Sequence, residues 1–397
     1  MEALNERISN YYSTRTKAQN GAIQDYLHLP STAKHSICLC DNDYLRVANN
    51  EDVVRSQVND LLHHKSREGI PSSLFLGDKD PHISMEEDFG EWFGKPCYFA
   101  QSGYAANTGL IHALCVPGTN VYADTNLHAS FYDGLAARRV KLFRHRHNDT
   151  GHLEANIRLH GPGIILVESI YSALGTTSPL EEITRIKKEQ GCVLVVDESH
   201  SLGLYGTQGK GYIHMKDLVD SVDYVTASLS GAFCCRAGVV FGPSISYIKE
   251  ISYPNIFSSA LTRNDIVRIR AMWEVVRAAE SRRQNLFETS RLLRRTLGKV
   301  AELVPIADDD SPIVCIRCTD EEEMAGLHRY LSSKGMLVAP LFWPATPRDY
   351  PIIRLMVGAN IPVDDVHKVA NAVSDFYAKP SVPLDLNINH GPIQARL

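Results

Sequence analysis

Between about residues 85 and 260, apolar runs of strand length alternate with helical stretches, and this alternation limits the fold more than any other feature. The runs are PCYFAQSG, TNVYAD, GIILVESIY, GCVLVVDESHS, VDYVTASLS and AGVVFGP. Unbroken apolar runs of this kind suit strands that are covered on both faces. The segment therefore predicts an α/β fold with a mostly parallel sheet, and a chain of 397 residues is long enough to bury a large core around it.

The rest of the chain predicts an organisation around this sheet. Apolar residues recur at three- and four-residue steps from 264 to 298, which predicts one long helix that links two domains. The predicted parts are an N-terminal arm (1–60), a large domain (61–270), a linking helix (271–300), a small α+β domain (301–379) and an irregular tail (380–397). Within the small domain, the pattern predicts strands at 312–317, 336–341 and 352–357 and helices at 321–334 and 363–377.

Charge and composition exclude several classes of protein. Lys and Arg total 41 against 46 Asp and Glu, so the chain lacks the basic surplus on which non-specific nucleic-acid binding depends. The N-terminus has no apolar signal segment, and no apolar run reaches the roughly 18 residues of a membrane span, so we expect a cytoplasmic protein. The nine cysteines are scattered, which is typical of reduced thiols. Cys315 and Cys318 have ligand spacing but no second pair, so no metal site is predicted.

The strongest candidate site is CVLVVDESHSLGLYGTQGKG, residues 192–211. An apolar strand runs directly into Asp197, His200 follows three residues later, and glycines come after both. The carboxyl ends of parallel strands are where α/β sheets place ligand-contacting groups. A buried carboxylate there requires a cation or hydrogen-bond donors, and a protonated pyridine nitrogen is one such partner. The alternative is an Asp that only caps the next turn.

Three other segments place polar groups after predicted strands. Ser102, Gly103 and Tyr104 lead from a strand into a helix, where free N–H groups suit a phosphate, although a plain N-cap would have the same sequence. His128 follows the next strand, where its imidazole could lie against a planar ring. Ser228 ends a strand that enters the small residues of SLSGA. The glycines after Asp197 do not form GxGxxG and no GxSxG is present, so dinucleotide-binding and serine hydrolase sites are disfavoured.

These segments together resemble the α-oxoamine synthases, pyridoxal-phosphate enzymes of fold type I, and most closely the bacterial quorum-sensing autoinducer synthases. NDYL, QSGYAAN, GTNVYAD, HGPGIILVESIYSALGT, VDESHSLG, TASLSGAFCCRAG, SYPNIFSSAL, SRRQNL and PIIRLMV occur in the family's order and spacing. The resemblance implies the fold type I architecture, with a large domain around a seven-stranded sheet and a small C-terminal domain. It also implies pyridoxal 5′-phosphate as cofactor and a homodimer with shared active sites.

The resemblance also implies roles for individual residues. The phosphate of the cofactor is expected at Ser102, Gly103, Tyr104 and Ser228, and Ser258 or Ser259 is expected to reach the phosphate in a neighbouring subunit. His128 is expected to stack on the pyridine ring, Asp197 to pair with its nitrogen, His200 to hydrogen-bond the phenolic oxygen and Ser172 to lie beside the ring. Arg354 resembles the residue that holds an amino-acid carboxylate, and Asn42 of NDYL is expected to contact substrate.

One position departs from the family motif. The Schiff-base lysine is expected three residues after Ser228, and this chain has Gly231 there. Glycine cannot form the link to the cofactor or move a proton. The first interpretation is an inactive lysine-to-glycine form of an enzyme that is otherwise intact. The second is a natural non-catalytic protein that binds a ligand or supports a lysine-bearing partner.

The activity implied for the family branch is condensation of a fatty acyl-CoA with an amino acid or an S-adenosylmethionine-like substrate, which yields an α-aminoketone precursor of an autoinducer. ESIYSALGT, VDESHSLG and CCRAG favour this branch. A biotin-type or sphingoid-type oxoamine synthase is the alternative, although biotin-type enzymes usually have SMDGD where this chain has SALGT. Neither the acyl chain length nor the amino substrate follows from the sequence.

Overall fold

The computed structural model describes residues 3–10, 36–63, 69–304, 310–343, 345–347 and 349–378. Its centre is a seven-stranded sheet. The strands of this sheet are β2 (Cys97–Ala100), β3 (Asn120–Asp124), β4 (Lys141–His145), β5 (Ile164–Glu168), β6 (Val193–Asp197), β7 (Tyr224–Ser228) and β8 (Gly238–Phe241). In space they follow the order β2-β8-β7-β6-β5-β3-β4, and β8 alone runs antiparallel to its neighbours. The predicted fold class is confirmed.

Helices accompany the central sheet along the chain, and side chains cap the starts of some of them. For example, Thr262 and Asp265 form a reciprocal capping box at the start of the helix Arg263–Arg277. The helices up to the small domain are α1 (3–10), α2 (Glu51–His63), α3 (Pro81–Phe93), α4 (Gly103–Leu114), α5 (Ala129–Ala136), α6 (Thr150–His160), α7 (Leu180–Gln190), α8 (Tyr212–Met215), α9 (Ile245–Ile251), α10 (Tyr253–Ile256), α11 (Arg263–Arg277) and α12 (Glu280–Leu297). None of the described helices is both long and apolar enough to span a membrane.

Two apolar clusters cover the two faces of the sheet. Along β5, Ile165 and Val167 belong to one cluster, whereas Ile164 and Leu166 belong to the other. Every residue of β5 is buried, which is why its sequence is continuously apolar up to Glu168. Because five of the other strands run parallel to β5, the carboxyl ends of β2 to β7 meet at one edge of the sheet. That edge is where polar residues follow the strands.

The prediction of one continuous linking helix is wrong. Two helices, α11 and α12, occupy this segment and are separated by Ala278 and Ala279. The side chain of Arg283 is buried and donates a hydrogen bond of 2.6 Å to the carbonyl of Val276. The same carbonyl also accepts the backbone N–H of Ala279 at 3.1 Å, so the guanidinium is an additional buried donor at this helix end. The apolar period continues through the break because both helices bury their apolar residues in the same cluster.

The small domain contains a three-stranded antiparallel sheet in the order β11-β12-β9. The prediction of a single strand at 336–341 is wrong. Val338 separates two strands, Met336–Leu337 and Ala339–Leu341, which belong to different sheets. β10 pairs in parallel with β1, a short strand of the predicted arm, whereas β11 pairs with β12. The bounds are β1 (Ile37–Cys38), β9 (Ile313–Arg317), α13 (Glu321–Ser333), β10 (Met336–Leu337), β11 (Ala339–Leu341), β12 (Ile352–Met356) and α14 (Val363–Ala378).

The predicted domain boundaries stay predictions. Residues 11–35 of the predicted arm and the irregular tail predicted at 380–397 lie outside the described residues.

Candidate active site

A cavity of about 160 Å³ lies at the edge where the carboxyl ends of the parallel strands meet. It brings together most of the residues singled out in the sequence, although they come from segments far apart in the chain. The lining residues are Asn42, Gly103, Tyr104, Asn107, His128, Glu168, Ser172, Asp197, Ser199, His200, Ser228, Ser230 and Gly231. Four residues named in the prediction are absent from this lining, namely Ser102, Ser258, Ser259 and Arg354.

Asp197 ends strand β6 and is 4% exposed. Its Oδ1 accepts hydrogen bonds from the backbone N–H of Ser199 at 2.8 Å and from the Ser199 hydroxyl at 2.5 Å. Its Oδ2 accepts from the side-chain amide of Asn107 at 2.8 Å. These donors stabilise the charged form of a carboxylate that would otherwise be costly to bury. The sequence analysis did not identify Asn107 or Ser199, although Asn107 lies one helical turn after Gly103, on the same face of α4.

Glu168 is a second buried carboxyl group beside Asp197, and it was not assigned to the site from the sequence. The two residues are directly opposite each other in neighbouring strands β5 and β6. Burial, and then the charge of Asp197, raise the pKa of Glu168 well above its usual range. Its Oε2 accepts the backbone N–H of Ser172 at 2.8 Å, whereas the buried Oε1 has no partner among the described residues. Its buried environment therefore favours the neutral form of the Glu168 carboxyl group.

His200 lies in the turn after β6 and contacts Tyr44, which the sequence analysis also missed. The Tyr44 hydroxyl and His200 Nδ1 are 2.7 Å apart, and their rings meet edge to face. Burial, followed by the positive charge of Arg354 and then His128, lowers the pKa of His200 to about 3. The imidazole is therefore neutral at physiological pH. Tyr44 belongs to the NDYL segment, so that motif could have drawn attention to it.

The start of α4 packs closely against the end of β7. Ser102 caps α4 by accepting the N–H of Ala105 at 3.0 Å, and its position as the cap explains why it lies behind the cavity wall. A Cβ added to Gly103 would lie 2.5 Å from the Cβ of Ser228, and a Cβ added to Gly238 would lie 2.2 Å from the carbonyl oxygen of Ser102. Both positions therefore require glycine for this approach. The result is a helix N-terminus beside the Ser228 and Ser230 hydroxyls, which suits an anion.

His128 is held at the rim of the cavity. It is the N-cap residue of α5, and its Nδ1 lies 2.8 Å from the Ser130 hydroxyl. Ser130 in turn accepts the side-chain amide of Asn107 at 3.0 Å, so the His128 ring is connected to Asp197 through two polar side chains. This chain of contacts orients an imidazole that is otherwise largely exposed.

Gly231 lines the cavity, and its backbone does not require a glycine. Its φ is outside the positive range that favours this residue. A Cβ added there would lie 3.3 Å from the carbonyl oxygen of Ser199 and 3.6 Å from a ring carbon of Tyr44. A longer side chain thus needs a shift of only a few tenths of an ångström at its first atom. The backbone conformation therefore does not explain why glycine occupies position 231.

Arg354 lies behind the cavity wall, in contact with Ser172 of the lining. Nη1 of Arg354 donates to the carbonyl of Ser172 at 2.7 Å, and the buried Nε has no partner among the described residues. The guanidinium thus keeps donor capacity close to the cavity. Asn42, also in the lining, belongs to the loop that follows β1.

Ser259 is exposed and lies outside the cavity lining of the single chain. Its backbone carbonyl accepts the side-chain amide of Gln101 at 2.7 Å, which places it near the start of α4. Its predicted contact with the phosphate of a neighbouring subunit stays a prediction.

The residues present fit pyridoxal phosphate. The cradle between Gly103 and Ser228 is a space that any Cβ would fill, and it offers hydroxyl and N–H donors of the kind that bind phosphate. The hydrogen-bonded carboxylate of Asp197 suits a protonated ring nitrogen. Buried polar atoms without a partner among the described residues, Glu168 Oε1 and Asn107 Oδ1, also face this region of the fold. The site therefore has the donors and the charge that such a group needs.

Comparisons with known proteins agree with this geometry. Residues 34–373 match the family described as "Aminotransferase class I and II". The CAI-1 autoinducer synthase of Vibrio campbellii is 32% identical over 373 residues, which cover 91% of this chain and 94% of that protein. The serine palmitoyltransferase of Caulobacter vibrioides is 28% identical over 354 residues, covering 84% and 85%.

A solved structure gives the same result for the fold. A lysine-to-alanine variant of serine palmitoyltransferase from S. paucimobilis, with a bound PLP–myriocin aldimine, superposes with a TM-score of 0.81 at 25% identity. The matched region covers 86% of this chain and 87% of that one. The chain therefore belongs to the aminotransferase class I and II family and, within it, to the α-oxoamine synthases.

Proposed function

We propose that this chain has the active site of a pyridoxal-phosphate-dependent acyl-CoA:amino acid C-acyltransferase and is inactive because Gly231 replaces the lysine. The parent reaction joins a fatty acyl-CoA to an amino acid or an S-adenosylmethionine-like substrate and yields an α-aminoketone, the precursor of a quorum-sensing autoinducer. The convergence of His128, Asp197 and His200 around a glycine in one cavity carries this proposal.

Pyridoxal phosphate supplies an electron-accepting ring that stabilises negative charge on the carbon next to a bound amine. Asp197, held by Asn107 and Ser199, would keep the ring nitrogen protonated. His128 would lie against the ring, and His200 would donate to its phenolic oxygen.

The phosphate of the cofactor binds at the start of α4. Ser102, Gly103, Tyr104 and Ser228 provide hydroxyl and backbone N–H donors there. Ser259 of a second copy completes this contact, because the enzyme is proposed to be a homodimer with shared active sites. Two exposed aromatic side chains lie close to Ser259 in the chain, Tyr253 in α10 and Phe257 just after it. Exposed apolar surface of this kind supports a contact between two copies.

Substrate is held on the side of the small domain. Arg354 binds the carboxylate of the amino acid through its unpartnered guanidinium nitrogen, and Ser172 lies beside the ring. Asn42 contacts the substrate from the loop after β1. A bidentate guanidinium fork matches the two oxygens of a carboxylate.

Gly231 removes the group that would transfer protons. A lysine amine at this position would take the α-proton of the amino acid and later return a proton. Among the described residues, no lysine lines the cavity that could replace the missing amine. The backbone at Gly231 would accept a lysine with only a small shift, which supports the interpretation of an intact enzyme that lacks one side chain.

The second candidate is a non-catalytic protein that binds a ligand or supports a lysine-bearing partner, and Gly231 itself is the observation that favours it. A biotin-type or sphingoid-type oxoamine synthase remains the alternative for the parent activity. The 32% identity to the CAI-1 synthase, against 28% to a serine palmitoyltransferase, favours the autoinducer branch.

The Gly231→Lys variant tests the proposal. With fatty acyl-CoA and an amino acid, it is expected to release free CoA, whereas the unchanged chain and a Gly231→Met control release none. Series of acyl chain lengths and amino substrates then identify the preferred pair. A Gly231→Lys protein that binds pyridoxal phosphate but releases no CoA with any pair would contradict an acyltransferase. Formation of a stable complex with a lysine-bearing relative would then favour the second candidate.

A further inference from the structure

We propose that Tyr44 is a positioning residue that fixes the tautomer of His200, so that the imidazole presents an N–H donor to the cavity. This inference rests on the proposed function, in which His200 faces the phenolic oxygen of pyridoxal phosphate. Tyr44 itself is absent from the cavity lining and acts through His200.

The contact between the two residues is well defined. The Tyr44 hydroxyl lies 2.7 Å from His200 Nδ1, and the ring planes are 84° apart. The side chain of Tyr44 is 1% exposed. Its backbone is also held, because its N–H donates to the Asn42 carbonyl and its carbonyl accepts the N–H of Ala359, each at 2.8 Å. Tyr44 therefore reaches His200 from a fixed position.

The protonation states decide which atom donates. Burial raises the pKa of the Tyr44 hydroxyl, which stays protonated at neutral pH. Burial lowers the pKa of His200 to about 3, so its imidazole carries a single proton. The other acceptor near the Tyr44 hydroxyl is the sulfur of Met356 at 3.9 Å, and thioether sulfur is a weak acceptor. The hydroxyl therefore donates to Nδ1, and the proton of the imidazole resides on Nε2.

This assignment has a consequence for the ligand. Among the described residues, no hydrogen bond to His200 Nε2 is present, and the residue lines the cavity. A neutral imidazole with its proton on Nε2 can donate to an oxygen but cannot accept from a hydroxyl. His200 therefore favours the ionised form of the phenolic oxygen over the protonated form. A free imidazole could change tautomer and would not discriminate between the two forms.

Tyr44 also lies beside the position of the missing lysine. Its ring carbon is 3.6 Å from where a Cβ at Gly231 would be. The ring thus has a packing role that the hydroxyl does not share. Replacement by phenylalanine keeps the ring and removes only the donor, which separates the two roles.

The test compares Tyr44→Phe with the unchanged chain and with Tyr122→Phe. Tyr122 is a matched control, because its buried ring also donates one hydrogen bond, to the Gly161 carbonyl at 2.5 Å, but it does not line the cavity. Tyr44→Phe is expected to weaken the binding of pyridoxal phosphate about 3- to 10-fold, as expected for one net hydrogen bond. It is also expected to raise the pH at which the absorption of the bound cofactor reports ionisation of its phenolic oxygen. Tyr122→Phe should change neither.

Two further measurements keep the outcome decisive. The ¹⁵N shifts of the His200 imidazole in the unchanged chain report its tautomer directly, and protonated Nδ1 would overturn the inference. In a His200→Gln background, Tyr44→Phe should have no further effect on the absorption titration. An unchanged titration in Tyr44→Phe, or equal effects of Tyr44→Phe and Tyr122→Phe, would also overturn it. If the unchanged chain does not bind pyridoxal phosphate at all, the proposed function fails, whereas the ¹⁵N result still decides the tautomer.

Discussion

At the scale of single residues, the cavity places two neighbouring carboxyl groups in different environments. Asp197 has hydrogen-bond donors on both oxygens, whereas Glu168 has a raised pKa and, among the described residues, a donor on only one oxygen. Two buried carboxylates side by side would repel each other, so the charge of Asp197 favours the neutral form of Glu168. The carboxylate of Asp197 suits the protonated ring nitrogen of pyridoxal phosphate.

The close approach at Gly103 gives a prediction for a single methyl group. Gly103→Ala would place its Cβ 2.5 Å from the Cβ of Ser228, so the start of α4 must move away from β7. We expect weaker binding of pyridoxal phosphate and a loss of about 1–3 kcal/mol in the free energy of unfolding, measured by cofactor titration and urea denaturation. Gly77→Ala is the control, because its Cβ would meet nothing within 4 Å. Equal cofactor affinity and equal unfolding free energy in the two variants would contradict the close approach of Gly103 to Ser228.

Sequence reasoning found the site residues that directly follow strands and missed the residues that support them. Asp197, His200 and Gly103 are visible because an apolar run ends just before them. Tyr44 is 156 residues from His200, so only the folded chain brings the two together. Asn107 looks like an ordinary helix residue until its contact with Asp197 is known. The supporting residues depend on tertiary contacts that no local pattern encodes.

At the scale of helices and strands, the long helical segment is divided between α11 and α12. The apolar period predicted a continuous helix, because a pattern of burial does not record where the backbone hydrogen bonds stop. At the break, the buried Arg283 guanidinium donates to the carbonyls of Val276 and Arg277. The same reasoning explains the divided strand 336–341, where an apolar run is shared by two sheets.

Arg283→Met is therefore expected to destabilise the protein. The substitution keeps an apolar stem but removes a guanidinium that donates to the carbonyls of Val276 and Arg277 and to the carboxylate of Glu280, at a cost of about 1–3 kcal/mol in the free energy of unfolding. Arg295→Met, on the exposed face of the same helix, should change stability by less than about 0.5 kcal/mol. Urea denaturation measures both. Equal stability of the two variants would contradict a stabilising role of the Arg283 guanidinium.

At the scale of the whole molecule, the parallel sheet explains why the site was largely predictable. Parallel strands have their carboxyl ends at one edge, so residues from separate motifs converge there once the strand order is known. The order of the strands, and the joining of β1 to the small domain through β10, could not be read from the sequence. Pairing partners depend on the path of the chain in space, and the apolar runs are too similar to specify it.

The lowered pKa of His200 links the site to global stability. This pKa in the folded chain, about 3, is below the usual value of 6.5, so the stabilising effect of His200 is present above pH 6.5 and is lost as the pH falls towards 3. Relative to His200→Gln, the unchanged chain is expected to lose up to about 1.4 kcal/mol of unfolding free energy per pH unit between pH 6 and pH 4. Urea denaturation at each pH measures this difference. A difference that is independent of pH would contradict an imidazole held in its neutral form.

The most direct test of the central claim concerns position 231. The unchanged chain, Gly231→Lys and Gly231→Met are each incubated with pyridoxal phosphate, reduced with borohydride, digested and analysed by mass spectrometry. We predict that only Gly231→Lys carries the reduced cofactor covalently, on the peptide that contains position 231, because its amine would point into the cavity beside Asp197 and His200. Attachment at other lysines only, or to the same extent in all three proteins, would contradict the assignment of this cavity as the cofactor site.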